Sequence, residues 1–255
     1  RPAIGNSPIA VRPGVSGADC ITIVWLVRAG LFGIGSGWMK VPEQWKLGDA
    51  SSFAVDSGGN VWLLHRPWTL PAEDAAMAAP PIMVFDRGGN FVKALGGPGD
   101  GYDWPQREHG IHIDSKDFVW ITGNNCPTNG LPREPVADDQ VLKFAPDGSF
   151  VLQIGHSGDG TASNADTDNV HRAADAWVHP PTNEVFIADG YGNSRVVVFD
   201  ADTGAFKRMW GAFGEVPVDH DSCGVVYFDD PAAPGLDSFN LVHAVAVSRD
   251  GTVYV

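Results

Sequence analysis

Basic residues are scarce in this chain: 17 Lys and Arg stand against 31 Asp and Glu, a formal net charge of −14. A nucleic acid or an anionic membrane surface needs a basic footprint on its partner, so both are excluded as partners. Cysteine is scarce as well. Cys20, Cys126 and Cys223 are widely spaced and form no CxxC pair, which argues against a cysteine-based zinc site. At most one disulfide can form among them, and the expectation is three inert thiols. Long apolar runs are missing: Ile21 to Val27 is followed at once by Arg28 and is too short to span a bilayer, so no membrane insertion is expected. No complete signal peptide is visible either. What is plentiful is Gly (31), Pro (19) and Trp (9), a mix that suits many short strands joined by tight turns.

The pattern of those strands repeats. Each unit runs as a short strand, an Asp/Gly/Asn turn, an aromatic-rich strand, a variable loop, a strand ending in Phe, a Gly turn, and a last strand closed by Gly. Phe85, Phe144 and Phe199 align with spacings of 59 and 55; Gly96, Gly155 and Gly211 align with spacings of 59 and 56. A period of this kind signals a modular architecture. Four short β-rich strands per unit, repeated in series, predict propeller blades. A solenoid of parallel coils is the structural rival, and the tight Asp-Gly and Gly-Asn turns disfavour it because they call for antiparallel hairpins. The blades are expected at about 51–96, 109–155 and 174–211, with a truncated fourth at 243–255. The incomplete propeller thus occupies 38–255, and residues 1–37 lie outside the repeat. Because the last unit stops inside a strand pattern at Val255, the chain reads as a fragment.

Antiparallel order divides the loops between two faces. On one, every turn is short. On the other lie the long segments Arg66 to Pro80, Gly123 to Asp139, Gly155 to Ala173 and Gly211 to Val242, which marks it as the working face. His109 stands five residues before Asp114 and His243 five before the equivalent Ser248, so both are expected at the mouth of an innermost strand of alternate blades. Ser51 and Ala174 hold the same place in units one and three. With six blades, a third histidine beyond Val255 would complete a ring of neutral imidazoles with an open fourth position, the donor set of a catalytic zinc ion. The plainer account is two unrelated polar residues at strand starts. Arg66 and Tyr191 project from the same face; a solvated loop cation and a packing aromatic are their plainer accounts. Arg195 is expected to brace neighbouring blades in an ion pair. His65, His112, His156, His171, His179 and His220 fall outside the register and are expected to be structural.

The segment Asn193-Ser194-Arg195-Val196-Val197-Val198-Phe199 resembles the end of an NHL repeat. More narrowly, Asp189-Gly190-Tyr191-Gly192-Asn193-Ser194-Arg195 resembles the lyase domain of peptidylglycine α-amidating enzymes, peptidyl-α-hydroxyglycine α-amidating lyase, over about 41–255. The resemblance implies an all-β, six-bladed NHL propeller, of which about three and a half blades are present here. It implies a carbon–nitrogen lyase that splits a carbinolamide into an amide and glyoxylate. Zn2+ would be held by His109 and His243, with Tyr191 and Arg66 catalytic, and a structural Ca2+ would be a second ion. It further implies a small-molecule or peptide substrate, a monomer, and a secreted or periplasmic location. One departure stands out: the family usually has a Cys after the tyrosine, paired with another Cys, where this chain has Gly192. The insertions at 67–80 and 216–240 would reshape the substrate mouth. Two other function classes are compatible with the pattern. One is a non-catalytic NHL scaffold binding a peptide, protein or glycan on its loop face. The other is a calcium-dependent propeller hydrolase, disfavoured because its axial ligands would be oxygens.

Overall fold

A computed structural model describes residues 37–127, 135–158, 163–217, 219 and 238–255. The chain divides into two units, 1–38 and 39–255, and the second carries all the regular structure described here. The expectation for residues 1–37 falls almost wholly outside the described residues, as do most of the 216–240 insertion and His220.

Three four-stranded antiparallel sheets follow one another along the chain, each in simple sequence order. The first comprises β1 (Asp49–Val55), β2 (Val61–Arg66), β3 (Ile82–Phe85) and β4 (Phe91–Leu95). The second comprises β5 (Glu108–Ile113), β6 (Val119–Gly123), β7 (Gln140–Phe144) and β8 (Phe150–Gly155). The third comprises β9 (Asp175–His179), β10 (Glu184–Asp189), β11 (Arg195–Asp200) and β12 (Phe206–Trp210). A hairpin of β13 (Ala246–Val247) and β14 (Val253–Tyr254) begins a fourth. The fold is all-β and propeller-like.

The turns explain why the repeat folds as it does. Asp56 accepts the Asn60 backbone N–H with one carboxylate oxygen and the Trp62 indole N–H with the other. Asp114 repeats the arrangement in the second blade, accepting the Phe118 N–H and the Trp120 indole. Each hairpin is thus locked by a carboxylate that also orients the large aromatic behind it.

The sheets stack face to face, and the period of two decides which residues meet. Trp62, Leu64, Ile82 and Val84 of the first blade pack on Ile111, Val119, Ile121 and Leu142 of the second. Trp120 and Val141 point the other way, onto Ala176, Val185, Ile187 and Val197 of the third. Phe186, Ala188, Val196 and Val198 in turn cover Val242, Val245 and Val247. Middle strands are therefore buried on both faces, which is why they read as unbroken apolar runs rather than alternating ones. The first strands lie beside one another, β1 by β5, β5 by β9 and β9 by β13. Together they line a cleft of about 650 Å³ that includes Phe53, His112, Asp175, Trp177 and Val245. This places the first strand of each blade innermost.

Two irregularities recur in register. On each last strand one extra residue is looped out opposite the aligned phenylalanine: Val92, Val151 and Lys207. On the first strands the ladder breaks at Ser51 in β1 and at His109-Gly110 in β5. The segment at 67–80, expected as an irregular loop, contains two short 3-10 turns, Pro67–Thr69 and Ala72–Met77. Cys126 is disulfide-bonded, with its partner outside the described residues, which corrects the expectation of three inert thiols.

Candidate active site

The break in β5 carries His109, whose ring meets Tyr191 and His243. A bulge kinks the strand and re-aims the side chain it carries, and Gly110 makes this one fit: a Cβ there would lie 2.6 Å from both the Ala174 carbonyl oxygen and Thr122 Oγ1. The His109 Nδ1–H donates to the Ala174 carbonyl at 2.8 Å. A carbonyl can only accept, so this bond fixes the tautomer and leaves Nε2 as a bare lone pair. That Nε2 lies 3.0 Å from the Tyr191 hydroxyl. Burial above all, with His243, Arg66 and Arg107 acting the same way, holds His109 at a pKa of about 4 against the upward pull of Ala174. At neutral pH it is an uncharged imidazole.

The same hydroxyl meets His243, whose Nε2 is 3.1 Å away. The two imidazole centroids are 5.0 Å apart, and Tyr191 lies 5.0 and 5.7 Å from them. Since the Tyr191 O–H donates to His109, the His243 Nε2–H donates to the phenolic oxygen. His243 is exposed and precedes β13 instead of standing on a strand, because the regular ladder starts three residues later at Ala246. Asp175, at the head of β9, anchors that segment by accepting the Val245 N–H at 3.3 Å. Burial raises the Asp175 pKa, while this bond and His243 pull it back down.

Arg66 ends β2 and reaches the same neighbourhood. Its Nε–H donates to the Glu108 carbonyl at 2.9 Å and its Nη2 to Ser51 Oγ at 3.1 Å. Ser51 Oγ also lies 2.9 and 2.7 Å from the carbonyls of Glu108 and His109. The bulge of blade one is thereby stitched to that of blade two, and the bulge of blade two, through His109, to Ala174 of blade three. Glu108 is itself held by the indoles of Trp104 and Trp68 at 3.0 and 3.1 Å. Burial lowers the Arg66 pKa first and Arg107 pushes the same way; Glu108, Asp49 and Tyr191 raise it.

Tyr191 sits between two glycines that both lack space for a side chain. A Cβ on Gly190 would lie 2.2 Å from the Val242 carbonyl oxygen, and one on Gly192 would lie 1.9 Å from the His171 ring. The loop is closed beneath by a fully buried ion pair, Arg195 Nε to Asp189 Oδ2 at 2.8 Å, with Asn193 Nδ2 on the same oxygen. Arg195 also donates to the carbonyls of Asn164, Asp166 and Asn169, so its brace reaches a neighbouring loop.

His109, His243 and Tyr191 thus converge, with Arg66 bound to the same strand turn. Sequence reasoning missed Ser51 and Asp175 as supports, and it set His171 aside as structural although its ring backs the tyrosine loop. The flanking glycines were the visible signal for that contact. Of the other histidines, His65 is fully buried, His112 accepts the Val178 N–H, His179 meets Thr182, and His156 is exposed beside Asp103.

No protein-family model matches the chain. Among curated proteins it is similar to the peptidylglycine alpha-amidating monooxygenase of Rattus norvegicus, 28% identical over 64% of this chain and 16% of that one. It is similar also to peptidyl-alpha-hydroxyglycine alpha-amidating lyase 1 of Drosophila melanogaster, 24% identical over 74% of this chain and 34% of that one. The chain is an NHL-like propeller resembling the amidating lyase. It spans between about one sixth and one third of the length of these relatives. A solved virginiamycin B lyase from Staphylococcus aureus is similar over 66% of this chain and 42% of that one, at 14% identity and a TM-score of 0.40, too low for the likeness to bear on the fold.

Proposed function

We propose that this chain carries the catalytic face of a zinc-dependent amidating lyase, acting on N-acyl-α-hydroxyglycines. The observation that carries the proposal is the Tyr191 hydroxyl held between the Nε2 atoms of His109 and His243. The donor set fits a zinc ion. His109 points a bare Nε2 lone pair at this place, and His243, whose Nε2–H donates to Tyr191, would move that proton to Nδ1 to offer its own; His109 is anchored through its other nitrogen by a backbone carbonyl, the usual outer support of a metal-binding histidine. These two would hold the ion together with a third ligand proposed to come from beyond Val255. When bound, zinc would supply a Lewis acid for a substrate oxygen.

The remaining chemistry falls to the chain's own residues. Tyr191, once its own proton has passed to solvent, takes the proton from the substrate hydroxyl. The O–H electrons become the C=O of the aldehyde, the C–N bond breaks with its pair going to nitrogen, and the proton returns to that nitrogen. An N-acyl-α-hydroxyglycine then yields an amide and glyoxylate without any oxidant. A free phenol ionises near pH 10, so Tyr191 needs nearby positive charge to act as a base at neutral pH, and Arg66 provides it in the favourable direction. Arg66 would also steady the developing oxyanion. His109, held neutral, does not compete for the proton.

The test is metal analysis and turnover of the full-length protein. About one catalytic zinc per chain, glyoxylate release from N-benzoyl-α-hydroxyglycine, and loss of both in a His109→Ala variant that still folds are expected. Protein that binds no zinc and releases no glyoxylate would refute the proposal and leave a binding scaffold.

A further inference from the structure

The tyrosine loop is not held by the blade ladder. Tyr191 lies between the end of β10 at Asp189 and the start of β11 at Arg195, beyond the strand pairing. Its position must come from what the loop touches, Val242 beside Gly190 and His171 beside Gly192. Gly192 lies so close to His171 that a Cβ would fall 1.9 Å from Cδ2 and 2.5 Å from Cγ of the ring. The imidazole therefore fills the space a side chain at 192 would need.

The ring is rigidly held in turn. His171 Nδ1 lies 2.6 Å from Asp139 Oδ1, and both side chains are more than nine-tenths buried. The His171 backbone is tied twice to the same loop: its N–H donates to Asp189 Oδ1 at 2.7 Å, and its carbonyl accepts the Gly192 N–H at 3.0 Å. The next residue, Arg172, donates from Nη2 to the Tyr191 carbonyl at 2.5 Å. Arg172 adopts φ +60, a left-handed conformation uncommon for a non-glycine residue, so the backbone here is over-determined by its surroundings.

We propose that the Asp139–His171 pair is a positioning device for Tyr191: the clamped imidazole seats Gly192 and so fixes the phenol between His109 and His243. His171 touches no reacting atom. The inference deepens the lyase proposal, but its structural half stands without it, because ring placement can be read in protein that turns nothing over.

The geometry also supplies a replacement for the clamp. With a Cβ on Gly192 lying 2.5 Å from the His171 Cγ and no nearer the His171 Cβ than the 2.7 Å of Nε2, the two Cβ atoms would lie between that distance and about 4 Å, a range that overlaps the roughly 3.5–4.5 Å a disulfide spans. The experiment compares wild type, His171→Ala and the double variant His171→Cys/Gly192→Cys, oxidised and reduced. One readout is the ring NMR signal of Tyr191, assigned through Tyr191→Phe. The other is kcat and KM for N-benzoyl-α-hydroxyglycine.

In His171→Ala the Tyr191 signal should broaden or shift, with kcat falling about 10- to 100-fold and KM changing less than about 3-fold, as expected when positioning is lost and binding kept. Oxidising the double variant should restore the Tyr191 signal and most of kcat; reducing it should remove both. If His171→Ala fails to fold, the oxidised-to-reduced comparison decides, set against wild type in the same two states because reduction also opens the Cys126 disulfide. An unchanged Tyr191 signal in His171→Ala, or no difference between the two redox forms of the double variant, overturns the inference. If wild type releases no glyoxylate but the Tyr191 signal behaves as described, the lyase proposal falls and the positioning role stands.

Discussion

Mild acid should loosen the strand that delivers Arg66, and His65 is the reason. This side chain is fully buried on β2, one residue before Arg66. Its Nδ1 accepts the Gly48 N–H at 3.1 Å, and its Nε2–H donates to the Pro80 carbonyl at 2.9 Å. A second proton would set one N–H against another with no water to separate them. Burial accordingly lowers the pKa to about 4 from 6.5, with Pro80 pulling partly back. The folded state then binds fewer protons than the unfolded state between those two values. The associated stability is complete above about pH 6.5 and drains away as pH falls toward 4. Carried through linkage, it is worth about 3 kcal/mol in full and roughly 2 kcal/mol by pH 5. His109 and His112, both also lowered to about 4 chiefly by burial, act with the same sign. Asp138, raised to about 7 by burial against three backbone N–H bonds, opposes them and returns roughly 2 kcal/mol over the same range. Burial also raises Asp139 and Asp175, which oppose the loss in the same direction as Asp138, so the experiment is built to isolate the His65 contribution. Urea unfolding at about pH 7.5 and pH 5 would measure it. His65→Asn should be less stable at the higher pH, yet its stability should fall by about 2 kcal/mol less between the two. An identical fall in both proteins, or a His65 imidazole that titrates near 6.5 by NMR, would refute the reasoning.

Two further outcomes follow from the packing. Arg195→Leu removes the partner of a carboxylate with no exposure and should cost about 3–5 kcal/mol in urea unfolding; a cost below about 1 kcal/mol would mean that Asp189 finds another donor. Gly110→Ala drives a methyl group into the Ala174 carbonyl and Thr122, so it should lower the melting temperature and shift the His109 ring signal, whereas the same change at the open Gly101 should leave that signal alone.

Much of this architecture was legible because the repeat carries its own turn chemistry. Asp56 and Asp114, with Trp62 and Trp120 six residues on, specify both the hairpin and the aromatic behind it. With the blades in series, histidines at equivalent positions were expected on one face, and the rings of His109 and His243 lie 5.0 Å apart. Less was visible where contact depends on the separation of blades. His171 looked like an ordinary loop histidine, because nothing in its neighbours reports that Gly192 comes to rest against it. Asp175 was hidden in the same way: its partner, the Val245 N–H, is 70 positions away. The Cys126 disulfide was beyond reach, since three scattered cysteines give no spacing to read.

The extra residues Val92, Val151 and Lys207 sit on the outermost strand of their blades, where a row of unpaired backbone groups would otherwise face solvent. By breaking the pleat at the same point each time, they deny an incoming strand a straight template, and the lysines at 93 and 207 add charge to two of those rims. The device guards against edge-to-edge aggregation, a hazard that grows with every module a chain adds.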